Sequence, residues 1–252
     1  MTTTAASPQP AAVATTLVVS KDAATIEQVK EGLQQFAIAA EVSNELTSAF
    51  QLLNRKHFEA VIVDMQIGQR SRELLAQVRS SASSQTAATF AITAGGAETS
   101  AAFAAGSHFV LERPISAESV HNNLKVAYGM IMRERRRYFR CPVALPVTLR
   151  GHEGGELHCE TLNISESGMA LKCPIALKPD SRVYIAFSLP DEKNQFASDA
   201  NICWSDGSGR MGLQLLNLVP QHKEQLQAWL ARKLEENLPE NVASQFLRPP
   251  GS

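Results

Sequence analysis

The sequence predicts two domains of different class. The first is an α/β fold, a doubly wound parallel five-stranded sheet. The second is a six-stranded antiparallel β-barrel with a C-terminal helix. Three observations carry this. A chain of 252 residues is long for one domain and natural for two. From Thr16 to residue 132, short apolar runs alternate with stripes of helical period. From Val143 onward the runs are short, alternate at period two and are punctuated by Gly, Pro and Asn.

Residues 1–15 are Ala, Thr, Pro, Gln and Ser without periodicity, and a disordered tail is expected. Leu17-Val18-Val19 begins the first domain, 16–132, as a short strand. Ile26, Val29, Leu33 and Phe36 recur at helical spacing, and Leu46, Phe50 and Leu53 mark a second helix. Ala60-Val61-Ile62-Val63 has the unbroken apolar character of a buried parallel strand. Leu74, Leu75 and Val78 mark a third helix. Thr89–Ile92 and His108–Leu111 are further strands, separated by the short segment 97–106. Ser116 is a candidate N-cap for a last helix with the stripe Val120, Leu124, Ala127 and Ile131. Five βα units in this length argue for an open doubly wound sheet.

The second domain, 133–238, reads as strands at Val143–Leu149, Glu156–Leu162, Met169–Leu171, Val183–Phe187, Ala200–Trp204 and Met211–Leu216. Asn163–Gly168 is read as a turn. Six short strands at close spacing suggest a small barrel. Pro220 opens a helix whose Leu226, Trp229, Leu230 and Leu234 share one face, suited to capping it. Both Trp204 and Trp229 are expected in the core. Residues 239–252 are expected to form a flexible tail.

Composition narrows the function. A formal net charge of −1 excludes a globally basic nucleic-acid binder. The positive charge is local: Arg133–Arg140 holds five Arg and one Glu. One such cluster without interleaved aromatics is not a nucleic-acid track, so no DNA or RNA partner is expected. Cys141, Cys159, Cys173 and Cys203 show no metal-ligand spacing, and three of them sit in strand-like runs where a small buried hydrophobe is the plain reading, so no metal is expected. No apolar run approaches the ~20 residues of a membrane span, and no secretory signal is visible. A cytoplasmic protein without membrane insertion is expected. The sequence holds no GxSxG elbow, P-loop or HExxH, so no enzyme is expected.

Two motifs stand out. Arg136-Arg137-Tyr138-Phe139-Arg140 is an RxxxR with an extra arginine, and Asn163-Ile164-Ser165-Glu166-Ser167-Gly168 is an NxSxxG. Guanidinium forks bind phosphate oxygens, or guanine N7 and O6, in bidentate fashion. The pair, in this order, resembles the PilZ family of bacterial cyclic di-GMP receptors, over roughly residues 133–236. That resemblance implies that Arg136, Arg137 and Arg140 clasp the nucleotide and that Asn163, Ser165 and Gly168 complete the pocket. It implies cyclic di-GMP as ligand, with no other cofactor. Gly212 resembles the glycine of the family's last strand, where close packing is expected.

The first domain resembles a response-regulator receiver. Asp64 follows the third strand, where that family carries its phosphoacceptor. Thr93 ends the fourth strand at the family's switch Ser/Thr, and Arg113-Pro114 stands for its Lys-Pro. The acidic pair that would hold Mg²⁺ is replaced by Ser20-Lys21, with Asp22 nearby. Phosphoryl transfer needs that metal, so a pseudo-receiver is expected, its Asp64 paired with Lys21 or Arg113. The resemblance implies a docking or dimerisation surface, hence an unidentified protein partner or a homodimer.

The last helix of the first domain runs toward the arginines with no Pro, Gly or Ser linker, and Pro142 stops it. Nucleotide binding is therefore expected to order a hinge at the junction. The leading reading is a cyclic di-GMP-responsive effector or adaptor. The alternative is a phosphorylation-gated response regulator whose β-domain binds protein and no nucleotide.

Overall fold

The computed structural model describes residues 12–81, 83–151, 155–190, 192 and 194–236. Residues 1–11 of the tail expected at 1–15, and the whole tail expected at 239–252, lie outside these. The described residues form two compact units, divided between Arg135 and Arg136.

The first unit contains β1 (Ala14–Val19), α1 (Ala23–Gln35), β2 (Ile38–Ser43), α2 (Leu46–Arg55), β3 (Ala60–Asp64), α3 (Ser71–Ser80), β4 (Ala88–Thr93), α4 (Ala97–Ala104), β5 (Phe109–Glu112) and most of α5 (Ala117–Tyr138). The strands are all parallel, in the order β2-β1-β3-β4-β5. This is the flavodoxin-like doubly wound order. Helices cover both faces of such a sheet, so its central strands bury nearly every side chain. Leu17, Val18, Val19, Val61, Ile62, Val63, Phe90, Ala91 and Ile92 are all fully buried.

Strand β1 starts at Ala14, two residues inside the expected disordered tail, because Val13 and Ala14 are buried and Val13 bonds Ala37. The edge strand β2 had no sequence signal, since its Ile-Ala-Ala-Glu-Val-Ser is partly solvated. Ser116 caps α5, accepting from the Ser119 amide at 3.1 Å. Arg113-Pro114 is a cis peptide.

The second unit contains β6 (Pro146–Gly151), β7 (Glu156–Ser165), β8 (Gly168–Lys172), β9 (Arg182–Ser188), β10 (Gln195–Ser205), β11 (Arg210–Leu215) and α6 (Pro220–Glu235). The six strands close in the antiparallel order β10-β11-β8-β7-β6-β9, leaving no edge open to another chain. Inward residues alternate along each strand. Val147, Leu149, Ile164, Met169, Leu171, Ile185, Ile202, Met211 and Leu213 fill the interior. Phe187 stacks on Phe196 at 5.2 Å between ring centroids. Helix α6 buries Leu226, Trp229, Leu230 and Leu234, the face expected from its spacing.

Candidate nucleotide-binding face and receiver-like acidic pocket

The expected turn at Asn163–Gly168 is tighter than the sequence suggested. Asn163, Ser165 and Gly168 all lie within paired strands, and only Glu166 and Ser167 form the connection. Ser165 is buried and donates from Oγ to the Gly168 carbonyl at 2.9 Å. Its hydroxyl therefore ties the hairpin. Gly168 needs no positive φ. It is required by close approach: a Cβ there would lie 2.1 Å from the Leu213 carbonyl oxygen of β11.

The arginines reach this hairpin through local geometry. Arg136 sits in the last turn of α5, and Arg140 lies two residues beyond the helix. Cys141 then exchanges two backbone hydrogen bonds with Ile164, at 2.8 and 2.9 Å. This bridge pins the chain beside Asn163, and Arg140 Nη1 donates to Asn163 Oδ1 at 3.3 Å. Arg136 is half-buried, and its guanidinium has no hydrogen-bond or ion-pair partner among the described residues. Arg137 is exposed beside it.

A fourth feature escaped the sequence reading. Trp204 is not in the core: it is 45% exposed. A register shift between Ile202 and Trp204 in β10 re-aims it. Strand pairing sets Trp204 opposite Gly212, Gly212 opposite Ala170, and Ala170 opposite Asn163. Residues paired across strands share a face, so these four form one row across β10, β11, β8 and β7. The indole lies against Gly212, where a Cβ would come 2.0 Å from Trp204 Nε1. At about 4.8 Å per strand, the backbone positions of the row span about 14 Å, and the indole leans over Gly212 toward the Asn163 end. The row's middle is floored by small residues.

Behind the hairpin, Gln227 of α6 donates to the Glu166 carboxylate at 3.1 Å. Cys159 and Cys173 form a disulfide, a correction to their reading as isolated buried hydrophobes. They are fourteen positions apart, a spacing with no motif, and only the strand register brings them together.

In the first unit, Asp64 is 3% exposed at the end of β3. Its Oδ2 accepts from Ser20 Oγ and from Arg113 Nη2, both at 2.7 Å. Its Oδ1 accepts from the Gln66 amide at 3.1 Å. Arg113 Nη1 also donates to Asp22 Oδ2 at 3.1 Å and to Thr25 Oγ1 at 2.9 Å. The hydrogen bond from Thr25, then Arg113, holds the Asp22 carboxyl below the ordinary aspartate value, so it stays ionised at neutral pH. Lys21 is exposed and takes no part in this cluster. Thr93 is fully buried and its hydroxyl is bonded to Thr99 Oγ1 at 2.9 Å.

The divalent cation implied by the receiver fold does not fit here. Mg²⁺ needs carboxylate oxygens free of other partners. In this pocket one guanidinium already bridges both carboxylates, and the Ser20 hydroxyl also occupies Asp64 Oδ2.

Residues 134–232 match the family described as PilZ domain. A search of curated proteins finds no match for the chain. Among solved structures, a response regulator from Thermotoga maritima is 20% identical with a TM-score of 0.41, covering 47% of this chain and 98% of its own. A putative response regulator from Chloroflexus aurantiacus is 21% identical with a TM-score of 0.43, covering 48% and 98%. The Bacillus subtilis inhibitor of motility is 20% identical with a TM-score of 0.35, covering 40% of this chain and 52% of its own, so the chain spans about half of that protein. No helix among the described residues is long and apolar enough to cross a membrane. The chain thus joins a doubly wound parallel α/β domain to a β-barrel domain whose residues 134–232 match the PilZ domain family.

Proposed function

We propose that this chain is a cyclic di-GMP-binding effector or adaptor whose ligand site is the outer face bearing Arg136, Arg140, Asn163 and Trp204. The observation that carries the reading is the Arg140–Asn163 hydrogen bond, which joins the two motifs on one surface. Arg136 supplies a second fork, whose guanidinium has no partner among the described residues to give up. Guanidinium forks suit the two phosphates and the guanine N7/O6 edges, and the Asn163 amide suits a base edge. Arg137 adds charge from the solvent side. Trp204 offers an aromatic face above Gly212, with the small Ala170 between the indole and Asn163. Ser165 and Gly168 act by shaping the hairpin. The ligand is bound and released unchanged, so no catalytic residue is assigned. A cytoplasmic setting goes with a soluble nucleotide messenger.

The receiver-like domain serves this reading as a phosphorylation-independent module. Arg113 supplies the positive charge that a metal would otherwise bring to Asp64 and Asp22. It supplies no coordination site for a phosphoryl donor. This disfavours the alternative of a phosphorylation-gated regulator. The domain's role is then to dock a protein partner or a second copy of the chain.

The test is titration calorimetry with cyclic di-GMP on the full chain. A charge-assisted contact is worth roughly 1.5–3 kcal/mol. Arg136→Ala and Arg140→Ala should each weaken binding about tenfold or more, with the melting temperature unchanged. Unaltered affinity in both variants would refute the assignment.

A further inference from the structure

We infer that Cys159 and Cys173 are a thiol–disulfide modification site that sets the order of the β7–β8 hairpin. Strand register pairs Glu160 with Lys172, so the next pair outward is Cys159 with Cys173. Their Cα atoms are 4.5 Å apart, the separation of a closely apposed, non-hydrogen-bonded antiparallel pair. The bond closes a loop that contains the whole Asn163–Gly168 hairpin.

Between the disulfide and Asn163 the ladder is interrupted. The register shifts between Thr161 and Asn163. There Thr161 turns to the other side: its amide bonds the Leu145 carbonyl, and its hydroxyl accepts from the Leu145 amide and donates to the Val143 carbonyl. The disulfide is thus a covalent tie between β7 and β8 that lies two paired positions, Glu160–Lys172 and Thr161–Leu171, from the place where their register slips. The other two cysteines stand apart from the pair. Cys141, Cys159 and Cys173 are all buried, so proximity is what distinguishes the pair: Cys141 is bonded to no other cysteine. Cys203 is exposed on β10.

The oxidant class is a hydroperoxide. One thiolate attacks the peroxide oxygen, releasing an alcohol and leaving a sulfenic acid. The second thiolate attacks that sulfur and water departs, so the two thiols together lose two electrons and two protons. A dithiol reverses the step by exchange. In a reducing compartment such a pair reports oxidant transiently. The consequence for cyclic di-GMP rests on the function proposed above, but the consequence for hairpin order does not.

The experiment uses the full chain in a Cys203→Ser background, treated with a hydroperoxide or with dithiothreitol. Intact mass should fall by about 2 Da on oxidation, with the fragments holding Cys159 and Cys173 linked. In ligand-free protein, hydrogen exchange at residues 162–168 should be roughly 10- to 100-fold faster in the reduced form. The melting temperature of the barrel should fall by up to about 15 °C. Cyclic di-GMP should bind several-fold more weakly to the reduced form. A Cys159→Ala/Cys173→Ala pair should behave as the reduced form and ignore oxidant. The inference is overturned if both thiols still alkylate after oxidant, or if exchange at 162–168 is the same in both redox forms. If neither form binds cyclic di-GMP, the ligand reading fails, while hydrogen exchange still decides the redox claim.

Discussion

Arg113 reaches Asp64, Asp22 and Thr25 with two nitrogens of one guanidinium. A lysine at this position would present a single point charge and could not bridge both carboxylates by a fork. Removing the guanidinium leaves Asp64 buried without its cation, at a cost on the order of 3 kcal/mol. It also leaves two carboxylates able to take a cation. Wild-type protein should therefore melt at the same temperature with or without 10 mM Mg²⁺. Arg113→Ala should melt lower, and Mg²⁺ should recover part of the loss, about 4 °C for a ~1 mM site. Acetyl phosphate should leave the wild-type mass unchanged. A stoichiometric adduct that disappears in Asp64→Asn would sink the pseudo-receiver reading. Trp204 makes a second residue-scale case. Stacking of a base on an aromatic ring is worth ~1–3 kcal/mol, so Trp204→Ala should weaken cyclic di-GMP by about tenfold and Trp204→Phe by less. Trp229 is buried at 1% exposure, so ligand-induced quenching should come from Trp204 and vanish in the Ala variant. Quenching that persists in Trp204→Ala would remove the indole from the site.

Helix α5 is anchored at its far end more firmly than its sequence suggested. Glu134 is 1% exposed and accepts from Thr86 Oγ1 at 2.6 Å, and Arg135 pairs with Glu59 at 3.5 Å. Ile131 and Met132 are buried as well. The hinge expected at the junction therefore begins after Arg135, because 131–135 is packed into the first unit. On cyclic di-GMP binding, hydrogen exchange should slow at 136–142 and 163–168 and stay unchanged at 131–135. Slowing at 131–135 would show that the anchor itself yields. The same contrast explains what the sequence disclosed. The buried parallel strands, the α6 stripe and the two arginine and asparagine motifs were legible because each is a local pattern. Strand β2 was hidden because an edge strand is only half dehydrated and needs no apolar run. Trp204 was misread because its direction depends on a bulge in β10, and the Cys159–Cys173 bond because it exists only in the β7–β8 register. The Ser165 role was open in sequence, since a hydroxyl near a turn can bond outward or inward, and tertiary pairing selects inward.

At the scale of the whole chain, α5 matters because it runs from Ala117 to Tyr138 as one element, with the boundary between the two compact units inside it. Arg136, the first proposed ligand contact, is the first residue past that boundary. The segment Arg133–Arg140 carries a local charge of +4, and an anionic ligand relieves its self-repulsion, so affinity should fall as salt rises. A ligand shifts an interdomain equilibrium only by its differential affinity for the two arrangements; a tenfold preference is worth ~1.4 kcal/mol. If closing on Arg136 and Arg140 favours one arrangement, the small-angle scattering profile of the full chain should change at saturating cyclic di-GMP. A flexible Gly-Ser insert belongs between Arg135 and Arg136, because upstream positions would tear buried side chains from the first unit. That insert should leave the Arg140–Asn163 face intact, preserve most of the affinity and abolish the scattering change. Arg140→Ala should lose both binding and the change. Identical wild-type profiles with and without ligand would make the barrel a passive tether, and signalling would then have to pass through a partner that reads the occupied face directly.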